Sequence, residues 1–249
     1  MDVALETRGL AKRFGGLVAT NDVTFRLERG ARHALIGPNG AGKTTFVNLL
    51  TGVLAPSAGR VLLGGEDITH LRPETRARRG LVRTFQINQL FADLTPLETL
   101  VLAVSERLGR GAQWWHPIGG KTIAREVDHV ASRFGLGDVL DLRTDTLPYG
   151  KQRLLEIAVA FACSPRVLLL DEPAAGVPTA ERQGILEAIA ALPADVSVLL
   201  IEHDMDLVFS FAQRISVLVD GALLVEGTPA EIETDARVRA AYLGGGDHG

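Results

Sequence analysis

Residues 37–44 read Gly37-Pro38-Asn39-Gly40-Ala41-Gly42-Lys43-Thr44, which matches the pattern G-x-x-x-x-G-K-[ST] in full. An apolar run at 31–36 precedes this stretch and predicts a short strand. Four apolar residues follow it at the spacing of one buried helix face, namely Phe46, Leu49, Leu50 and Val53. A strand, a glycine-rich loop and a helix in this order predict a phosphate-binding loop in an α/β protein.

Each part of this loop has a physical role. Glycines leave room for backbone N–H groups to curl around phosphate oxygens, and the following helix points its positive end at the anion. Lys43 can reach the β- and γ-phosphates of a nucleoside triphosphate, and the Thr44 hydroxyl can bind Mg²⁺. The residues that we expect to contact ATP here are Gly37, Pro38, Asn39, Gly40, Ala41, Gly42, Lys43, Thr44 and Thr45.

A second motif, which is acidic, lies far along the chain. The apolar run 167–170 stops at Asp171-Glu172, and a similar run at 196–201 stops at Glu202. Runs that are apolar at every position are typical of central strands covered by helices on both faces, and open α/β sheets bind ligands at the carboxyl ends of such strands. We therefore expect Asp171 to hold Mg²⁺ through water and Glu172 to orient or deprotonate the attacking water.

The rest of the sequence predicts further elements. Helical periodicity from about 97 to 162 predicts a helical middle, interrupted by a loop at 109–121. Asp220-Gly221 between two apolar runs predicts a hairpin, and Thr228-Pro229-Ala230-Glu231 has the pattern of a capping box. Five arginines lie around a helix that starts near Pro73, and we expect them on a solvated face: Arg72, Arg76, Arg78, Arg79 and Arg83.

Composition narrows the class of protein. The 249 residues are 46% hydrophobic, as in ordinary globular domains, and the formal net charge of −4 argues against a nucleic-acid-binding protein. The mean hydropathy of +0.16 raises the question of a membrane segment. The longest uncharged stretch, 44–59, is shorter than the roughly 20 residues that a spanning helix needs, and the N-terminus carries early charges in place of an apolar signal core. We expect no membrane span and no export, and the single cysteine, Cys163, fits a reducing compartment.

Four further motifs complete an ordered set with the first two. They are Lys12-Arg13-Phe14-Gly15-Gly16, Arg83-Thr84-Phe85-Gln86, Leu147-Pro148-Tyr149-Gly150-Lys151-Gln152-Arg153 and Ile201-Glu202-His203-Asp204. With them the chain resembles, over roughly residues 4–243, the ATP-binding subunits of ABC transporters. The resemblance implies one ABC ATPase domain at 1–243, an α/β P-loop NTPase with a RecA-like core, an antiparallel β subdomain and an α-helical subdomain. It places the core at 1–86 and 165–225, the helical lobe at about 87–164, a C-terminal helical piece at 228–243 and a flexible tail at 244–249.

The resemblance also implies roles for single residues. Phe14 would stack on adenine, and the catalytic group would comprise Glu172, His203, Gln86 and Lys43. Mg²⁺ would be held by Thr44, Gln86 and, through water, Asp171. The signature motif, which would face the ATP of a second subunit, consists of Pro148, Tyr149, Gly150, Lys151 and Gln152.

Details of these motifs, together with Glu226-Gly227-Thr228-Pro229, are similar to the ATP-binding subunits of branched-chain amino acid importers. This similarity implies ATP-driven uptake of branched-chain or other hydrophobic amino acids at the cytoplasmic face of the membrane. The implied partners are transmembrane permease subunits, a second ATP-binding subunit and, indirectly, a solute-binding protein, with no nucleic acid. We expect Leu90, Phe91 and Leu94 to contact the permease.

Two other classes of ABC protein share parts of this pattern. Urea and amide importers share much of the pattern, so the solute is not fixed. A soluble ABC ATPase of DNA repair or translation would carry a long coiled-coil insertion or a tandem domain, which this sequence lacks. Lys151 stands where the family usually has Gln, and 177–179 stands where it usually has Asp or Asn. These departures favour a heterodimer of ATPases over a homodimer.

Overall fold

The computed structural model describes residues 2–84, 90–109 and 120–243, in which the chain forms ten strands and nine α-helices. The strands are β1 (Val3–Phe14), β2 (Leu17–Glu28), β3 (Arg32–Ile36), β4 (Ala58–Leu63), β5 (Glu66–Asp67), β6 (Leu81–Arg83), β7 (Val167–Asp171), β8 (Ser197–Ile201), β9 (Arg214–Val219) and β10 (Ala222–Gly227). The helices are α1 (Lys43–Thr51), α2 (Pro73–Arg78), α3 (Pro96–Arg107), α4 (Lys121–Arg133), α5 (Tyr149–Ala162), α6 (Thr179–Ala190), α7 (Met205–Phe211), α8 (Pro229–Thr234) and α9 (Ala236–Leu243). Gln86, residues 110–119 of the predicted loop at 109–121 and the predicted tail at 244–249 lie outside the described residues.

The larger sheet has six strands in the order β10-β9-β3-β8-β7-β6. Five of them run parallel, and β10 pairs antiparallel with β9 through the predicted turn at Asp220-Gly221. The predicted strands at 31–36, 167–170 and 196–201 are therefore confirmed as β3, β7 and β8, which lie side by side at the centre of this sheet.

Strand β7 shows why its sequence is apolar at every position. Alternate residues of a strand point to opposite faces, so both faces of a covered sheet need apolar side chains. Leu168 and Leu170 pack in a cluster with α5 and α6, whereas Val167 and Leu169 pack in a second cluster with α1. All four are completely buried. The continuous run thus follows from burial of the strand on both faces.

A smaller antiparallel sheet, in the order β2-β1-β4-β5, lies on the other side of α1. Phe46, Leu49 and Leu50 of α1 are completely buried in the cluster that joins α1 to both sheets, as their spacing predicts. The prediction that Val53 lies on this face is wrong, because α1 ends at Thr51 and Val53 is 56% exposed. Gly52 has a left-handed backbone (φ 81°) that stops the helix before the periodic pattern reaches Val53.

Helices α3, α4 and α5 pack together in the stretch for which a helical lobe is predicted. Two helices begin with the same capping box. At α8 the Thr228 hydroxyl accepts from the Glu231 N–H, and Glu231 accepts from the Thr228 N–H at 2.7 Å, which confirms that prediction. Thr95 and Glu98 repeat the arrangement at α3, so this helix begins one residue before the periodicity alone indicates. In the described part of the chain, every helix is too short or too polar to span a bilayer.

The arginine cluster corrects another prediction. Arg78 is exposed as expected, but Arg76 is 1% exposed and its guanidinium donates to the carbonyls of Leu49 and Leu50 at the end of α1. It also donates to the carbonyl oxygen of Thr69 at 2.7 Å. Burial lowers the pKa of Arg76 to about 10, which leaves it charged at neutral pH. Arg76 therefore caps the C-terminus of α1 from inside the protein.

Candidate nucleotide-binding site

The predicted site residues converge because three parallel strands end at one edge of the larger sheet. Strand β3 runs into the glycine-rich loop, β7 runs into Asp171-Glu172, and β8 runs into 202–203. Asp171 is the register partner of Ile201, so the acidic motif and the loop after β8 begin at the same level. The carboxyl edge of a parallel sheet is where open α/β folds bind ligands.

The glycine-rich loop leads directly into α1. Gly42 is the N-cap of this helix with φ 94°, and a Cβ there would lie 2.5 Å from the carbonyl oxygen of Ala19 on β2. Both the backbone conformation and the close approach of β2 require glycine at this position. The N-cap makes no side-chain hydrogen bond to the first turn of α1, so the positive end of the helix carries no side-chain cap of its own.

Lys43 is folded back onto this loop. Its Nζ donates to the carbonyl of Gly37 at 2.6 Å and to that of Pro38 at 3.1 Å. Partial burial lowers the pKa of Lys43, and the carboxylates of Glu172 and Asp171 oppose that effect. The ammonium is held within the loop and in the field of the acidic motif, where it is available to an incoming phosphate.

Asp171 makes an ion pair that joins two strands. Arg83 at the end of β6 donates to Asp171 Oδ2 at 2.5 Å and to Asn48 Oδ1 of α1 at 2.8 Å. The side chains of Arg83 and Asp171 are 16% and 20% exposed, so the prediction of a solvated Arg83 is wrong. The pair links the acidic motif to the strand that precedes the predicted Gln86.

The predicted Mg²⁺ ligands have suitable chemistry. Asp171 offers a carboxylate and Thr44 an exposed hydroxyl, and Mg²⁺ prefers such hard oxygen donors. Gln86, the third predicted ligand, lies outside the described residues. The described donors therefore fit Mg²⁺. Within the described ranges, no cluster of three or more His, Cys, Asp or Glu side chains could hold a metal ion by itself.

Glu172 and His203 are in direct contact across the ends of β7 and β8. His203 Nδ1 lies 3.2 Å from Glu172 Oε1, and both side chains are partly exposed. Glu172 has a positive φ of 46°, a conformation that non-glycine residues rarely adopt and that is enriched at functional sites. Its N–H donates to the Ile201 carbonyl at 2.9 Å, which helps to hold this conformation. The contact places a carboxylate and an imidazole together beside the phosphate-binding loop.

A second carboxylate, Glu202, forms hydrogen bonds with the backbone at His203. It is 2% exposed, and its Oε2 accepts from the backbone N–H groups of His203 at 3.0 Å and Asp204 at 3.4 Å. Burial raises its pKa, and these two hydrogen bonds oppose the rise. Glu202 thus fixes the backbone of the residue that contacts Glu172.

Phe14 lies at the end of β1, in the turn to β2, and is 46% exposed. Lys12 Nζ lies 5.1 Å from the centroid of the Phe14 ring. Because β2 also touches the N-cap of α1 at Gly42, this turn is connected to the phosphate-binding loop. An exposed aromatic ring at this place is suited to stack on a flat heterocycle.

The predicted signature residues form the N-terminus of α5, with Pro148 as the N-cap. Tyr149 donates its hydroxyl to the Ala175 carbonyl at 3.2 Å, and the Gly150 N–H donates to Glu181 Oε2 at 2.8 Å. Lys151 Nζ is engaged by the Gly135 carbonyl at 2.6 Å and Asp138 at 2.7 Å. Gln152 donates to the carbonyl of Leu147 at 2.9 Å, within the same loop.

Three charged contacts of these motifs were not predicted. The Arg83 pair with Asp171 and the Glu181 contact with Gly150 join residues 88 and 31 positions apart, and no local pattern indicates either of them. Glu202 had a signal, because it ends an apolar strand just as Asp171 does.

Comparison with known proteins identifies similar chains. Residues 20–175 match the family described as ABC transporter, and residues 222–248 match the family described as branched-chain amino acid ATP-binding cassette transporter. The high-affinity branched-chain amino acid transport ATP-binding protein BraF of Pseudomonas aeruginosa is 42% identical over 96% of this chain and 97% of its own length. The corresponding probable protein LivG of Archaeoglobus fulgidus is 36% identical over 98% of this chain and 96% of its own.

The crystal structure of the ADP conformation of an ATP-binding cassette of an ABC transporter is also similar. It superposes with a TM-score of 0.85 and 29% identity, covering 98% of this chain and all of the other. A nucleotide-free cassette from an ABC transporter gives the same TM-score over 96% of this chain. These structures confirm the predicted P-loop NTPase fold.

Proposed function

This chain belongs to the ATP-binding proteins of ABC transporters, and from that premise we propose that it hydrolyses ATP to drive uptake of branched-chain amino acids. ATPase activity is the activity of this family. The amino-acid substrate is supported by the names of relatives that match over nearly the full chain. The match of residues 222–248 to a branched-chain amino acid transporter family supports it independently of the nucleotide site.

The observation that carries the hydrolytic role is the contact between Glu172 and His203 at the strand edge beside Lys43. A carboxylate that accepts a proton from water, or orients it, must lie next to the phosphate site. His203 keeps that carboxylate in place, and Glu202 keeps the backbone of His203 in place. In our proposal Glu172 acts on the attacking water, His203 positions Glu172, and Lys43 stabilises charge on the β- and γ-phosphates.

Binding of the nucleotide would change the contacts of Lys43 and Asp171. Lys43 would leave the carbonyls of Gly37 and Pro38 and reach the phosphates, and Phe14 would stack on the adenine ring. Mg²⁺, held by Thr44, Gln86 and, through water, Asp171, would neutralise phosphate charge. Arg83 holds the Asp171 carboxylate in the orientation that it has in this structure, so Arg83 sets the starting position of that ligand.

We further propose that the chain works as one of two ATP-binding subunits, with the signature residues facing the partner's ATP. The support is the position of Gly150, whose N–H lies at the positive end of α5. The phosphate-binding loop and the signature motif are then two halves of a site that only a pair of subunits completes.

The proposed membrane contact lies on the segment that precedes α3. Of the three predicted contact residues, Phe91 is 61% exposed, whereas Leu90 and Leu94 are partly buried. Leu97 and Leu142, which are also exposed, lie on segments joined by the hydrogen bond from Leu97 N–H to the Leu140 carbonyl. Exposed apolar side chains that are close in the fold are typical of docking surfaces. We propose that they meet the permease subunits at the cytoplasmic face of the membrane.

Capture of the native complex through this chain tests the whole proposal. We expect mass spectrometry to find permease subunits and an ATP-binding partner, and ATPase activity of the reconstituted complex to rise with leucine, isoleucine or valine. Stimulation by urea or short amides instead would contradict the amino-acid substrate. Capture without membrane subunits would contradict the transport role.

Glu172→Gln tests the catalytic assignment in the same complex. We expect hydrolysis to fall by at least about 100-fold while ATP binding persists, because the amide keeps the shape but cannot act on water as a base. Glu187→Gln, an exposed exchange of the same kind on α6, is the control and should leave hydrolysis unchanged. Turnover near the wild-type rate in Glu172→Gln would exclude Glu172 from this role.

A further inference from the structure

The N-terminus of α5 is occupied by a carboxylate of the same chain. The Gly150 N–H, at the second position of this helix, donates to Glu181 Oε2 at 2.8 Å. Glu181 is the third residue of α6 and is exposed, so its carboxylate sits at the protein surface. The acceptor therefore occupies the same N–H group that the signature motif would offer to a phosphate oxygen.

The identity of residue 150 fits this contact. Gly150 does not have a positive φ, so its backbone conformation is open to any residue. A Cβ at this position would collide with the Glu181 carboxylate. Glycine at position 150 therefore leaves room for the close approach of the Glu181 carboxylate, whereas the backbone conformation itself does not require glycine.

The surrounding contacts hold the signature loop against the loop that follows Glu172. Tyr149 donates to the Ala175 carbonyl, and a Cβ added to Gly176 would lie 3.0 Å from the Tyr149 hydroxyl oxygen. Both Ala175 and Glu181 belong to the segment that runs from the acidic motif into α6. The signature motif is thus fixed on two sides by the same segment.

The negative charge of Glu181 is also favoured by the N-terminus of its own helix, α6. As a first-turn residue of α6 it lies near the positive end of its own helix, whose N-cap, Pro178, makes no side-chain cap hydrogen bond. If the contact with Gly150 breaks, the carboxylate remains next to a favourable dipole and is exposed to water. The dipole of α6 and the surrounding water therefore offset part of the cost of breaking the contact with Gly150.

From these contacts we propose that Glu181 is a placeholder at the signature motif, which occupies the Gly150 N–H until the partner's nucleotide displaces it. This inference rests on the proposed pairing of two ATP-binding subunits. The carboxylate mimics the oxyanion that is to come and repels it at the same time, so it weakens closure on nucleotide and protects the helix end when nucleotide is absent. Glu181 is in this sense a positioning residue that sets the ATP concentration at which the subunits close.

The test uses the native complex captured through this chain, with Glu181→Gln or Glu181→Ala in this subunit. We expect the ATP concentration for half-maximal hydrolysis to fall about fivefold in both variants, with a smaller change in the maximal rate, since a competing anion has been removed. Glu187→Gln on the same helix should leave both values unchanged. If Glu181 only supports the fold of the signature loop, both variants should need more ATP, and an unchanged or raised concentration overturns the placeholder.

Hydrogen exchange on the full chain without nucleotide gives an independent readout. We expect the peptide that contains 149–152 to exchange faster in Glu181→Ala than in the wild type, with no change in Glu187→Gln. Equal exchange would mean that the carboxylate does not protect Gly150, which also overturns the proposal. Failure of the proposed function gives a different result. The captured wild-type complex would then lack a second ATP-binding subunit or ATP hydrolysis, and the proposed role of Glu181 would be excluded as well.

Discussion

Helices α1 and α5 both direct their N-termini at a predicted phosphate position. Side chains of the same protein bind α1 at its C-terminus and α5 at its N-terminus. The N-terminus of α1 has no side-chain cap, and Lys43 in its first turn is bound to loop carbonyls. Its C-terminus is fixed by the buried guanidinium of Arg76. The N-terminus of α5, by contrast, is covered by the Glu181 carboxylate.

This difference separates two kinds of anion site. At α1 the chain's own cation, Lys43, is bound to the carbonyls of the glycine-rich loop, and in the proposed function it turns to the phosphates. At α5 the chain's own anion, Glu181, accepts from the Gly150 N–H, and in our proposal it leaves before a phosphate enters. In the proposed pairing, a single chain carries one half-site that is open to nucleotide and one that stays closed until a partner brings nucleotide to it.

Removal of the cation at α1 should have the largest effect. In Lys43→Ala the charged hydrogen bonds to two phosphates are lost, so we expect nucleotide affinity of the full chain to fall about 1,000-fold. Titration with a fluorescent ATP analogue measures this. Lys121→Ala, at the start of α4, is the matched control and should bind normally. Unchanged affinity in Lys43→Ala would contradict the assignment of the phosphate-binding loop.

We expect the second-largest effect when the hydrogen bonds of Arg76 to the C-terminus of α1 are lost. Arg76→Met removes the donor for the carbonyls of Leu49, Leu50 and Thr69 while keeping an apolar side chain of similar length. Buried acceptors left unpaired are costly, and we expect the free energy of unfolding to fall by about 3 kcal/mol. Urea denaturation followed by circular dichroism measures it. Arg78→Met, on the exposed side of α2, should cost far less, and an equal loss in both variants would show that the cap is unimportant.

The third-largest effect that we expect is a loss of folding stability in acid. It arises from His33 on β3, the strand that leads into the phosphate-binding loop. His33 is 1% exposed, and its Nε2 lies 2.8 Å from Ser216 Oγ, which donates to Glu226 at 3.0 Å. Because that serine proton is directed at a carboxylate, Nε2 of His33 must carry the proton that bonds to Ser216. Burial lowers the pKa of His33 to about 4, partly opposed by Glu226.

The unfolded chain therefore takes up a proton near pH 6.5 that the folded chain resists until about pH 4. Stability from this residue is complete above pH 6.5 and is lost as the pH falls, by about 2 kcal/mol between pH 7 and pH 5. Urea unfolding of the wild type and His33→Gln at both pH values isolates it. Equal pH dependence of the two proteins would contradict the effect of burial on His33. The experiments that compare α1 with α5 should therefore be done above pH 6.5, where this residue does not reduce stability.

The sequence predicts the α1 half of this comparison much better than the α5 half. Residues a few positions apart indicate the phosphate-binding loop, the apolar strands β7 and β8, the hairpin at Asp220-Gly221 and the cap at Thr228. Periodicity alone misled at Val53, although Gly52 was a visible stop signal. Periodicity also places the start of α3 one residue too late, although Thr95-Pro96-Leu97-Glu98 repeats the capping-box pattern found at Thr228.

What could not be predicted depends on the topology. Arg83 meets Asp171 because β6 and β7 are neighbours in the sheet although they are far apart in sequence. Arg76 reaches the end of α1 through the packing of α2, and an arginine that bonds to carbonyls has the same local sequence as one in solvent. Glu181 meets Gly150 only because α5 and α6 pack on the same face of the sheet. Long-range charge contacts of this kind follow from the fold and leave no mark on the local pattern.

Gly150→Ala should have the smallest effect of the four and the most selective one. A Cβ at this position would overlap the Glu181 oxygen, so we expect it to block a carboxylate and a phosphate oxygen alike. We expect nucleotide affinity of the single chain to stay unchanged, because that binding uses only the α1 half-site, while hydrolysis by the native complex falls about tenfold with the loss of one charged hydrogen bond. Adding Glu181→Ala should not restore activity, since the added methyl group still fills the site. Restored activity in the double variant would mean that the Cβ acts only by pushing Glu181 aside, and a loss of single-chain affinity would mean that the two helix ends are not independent half-sites.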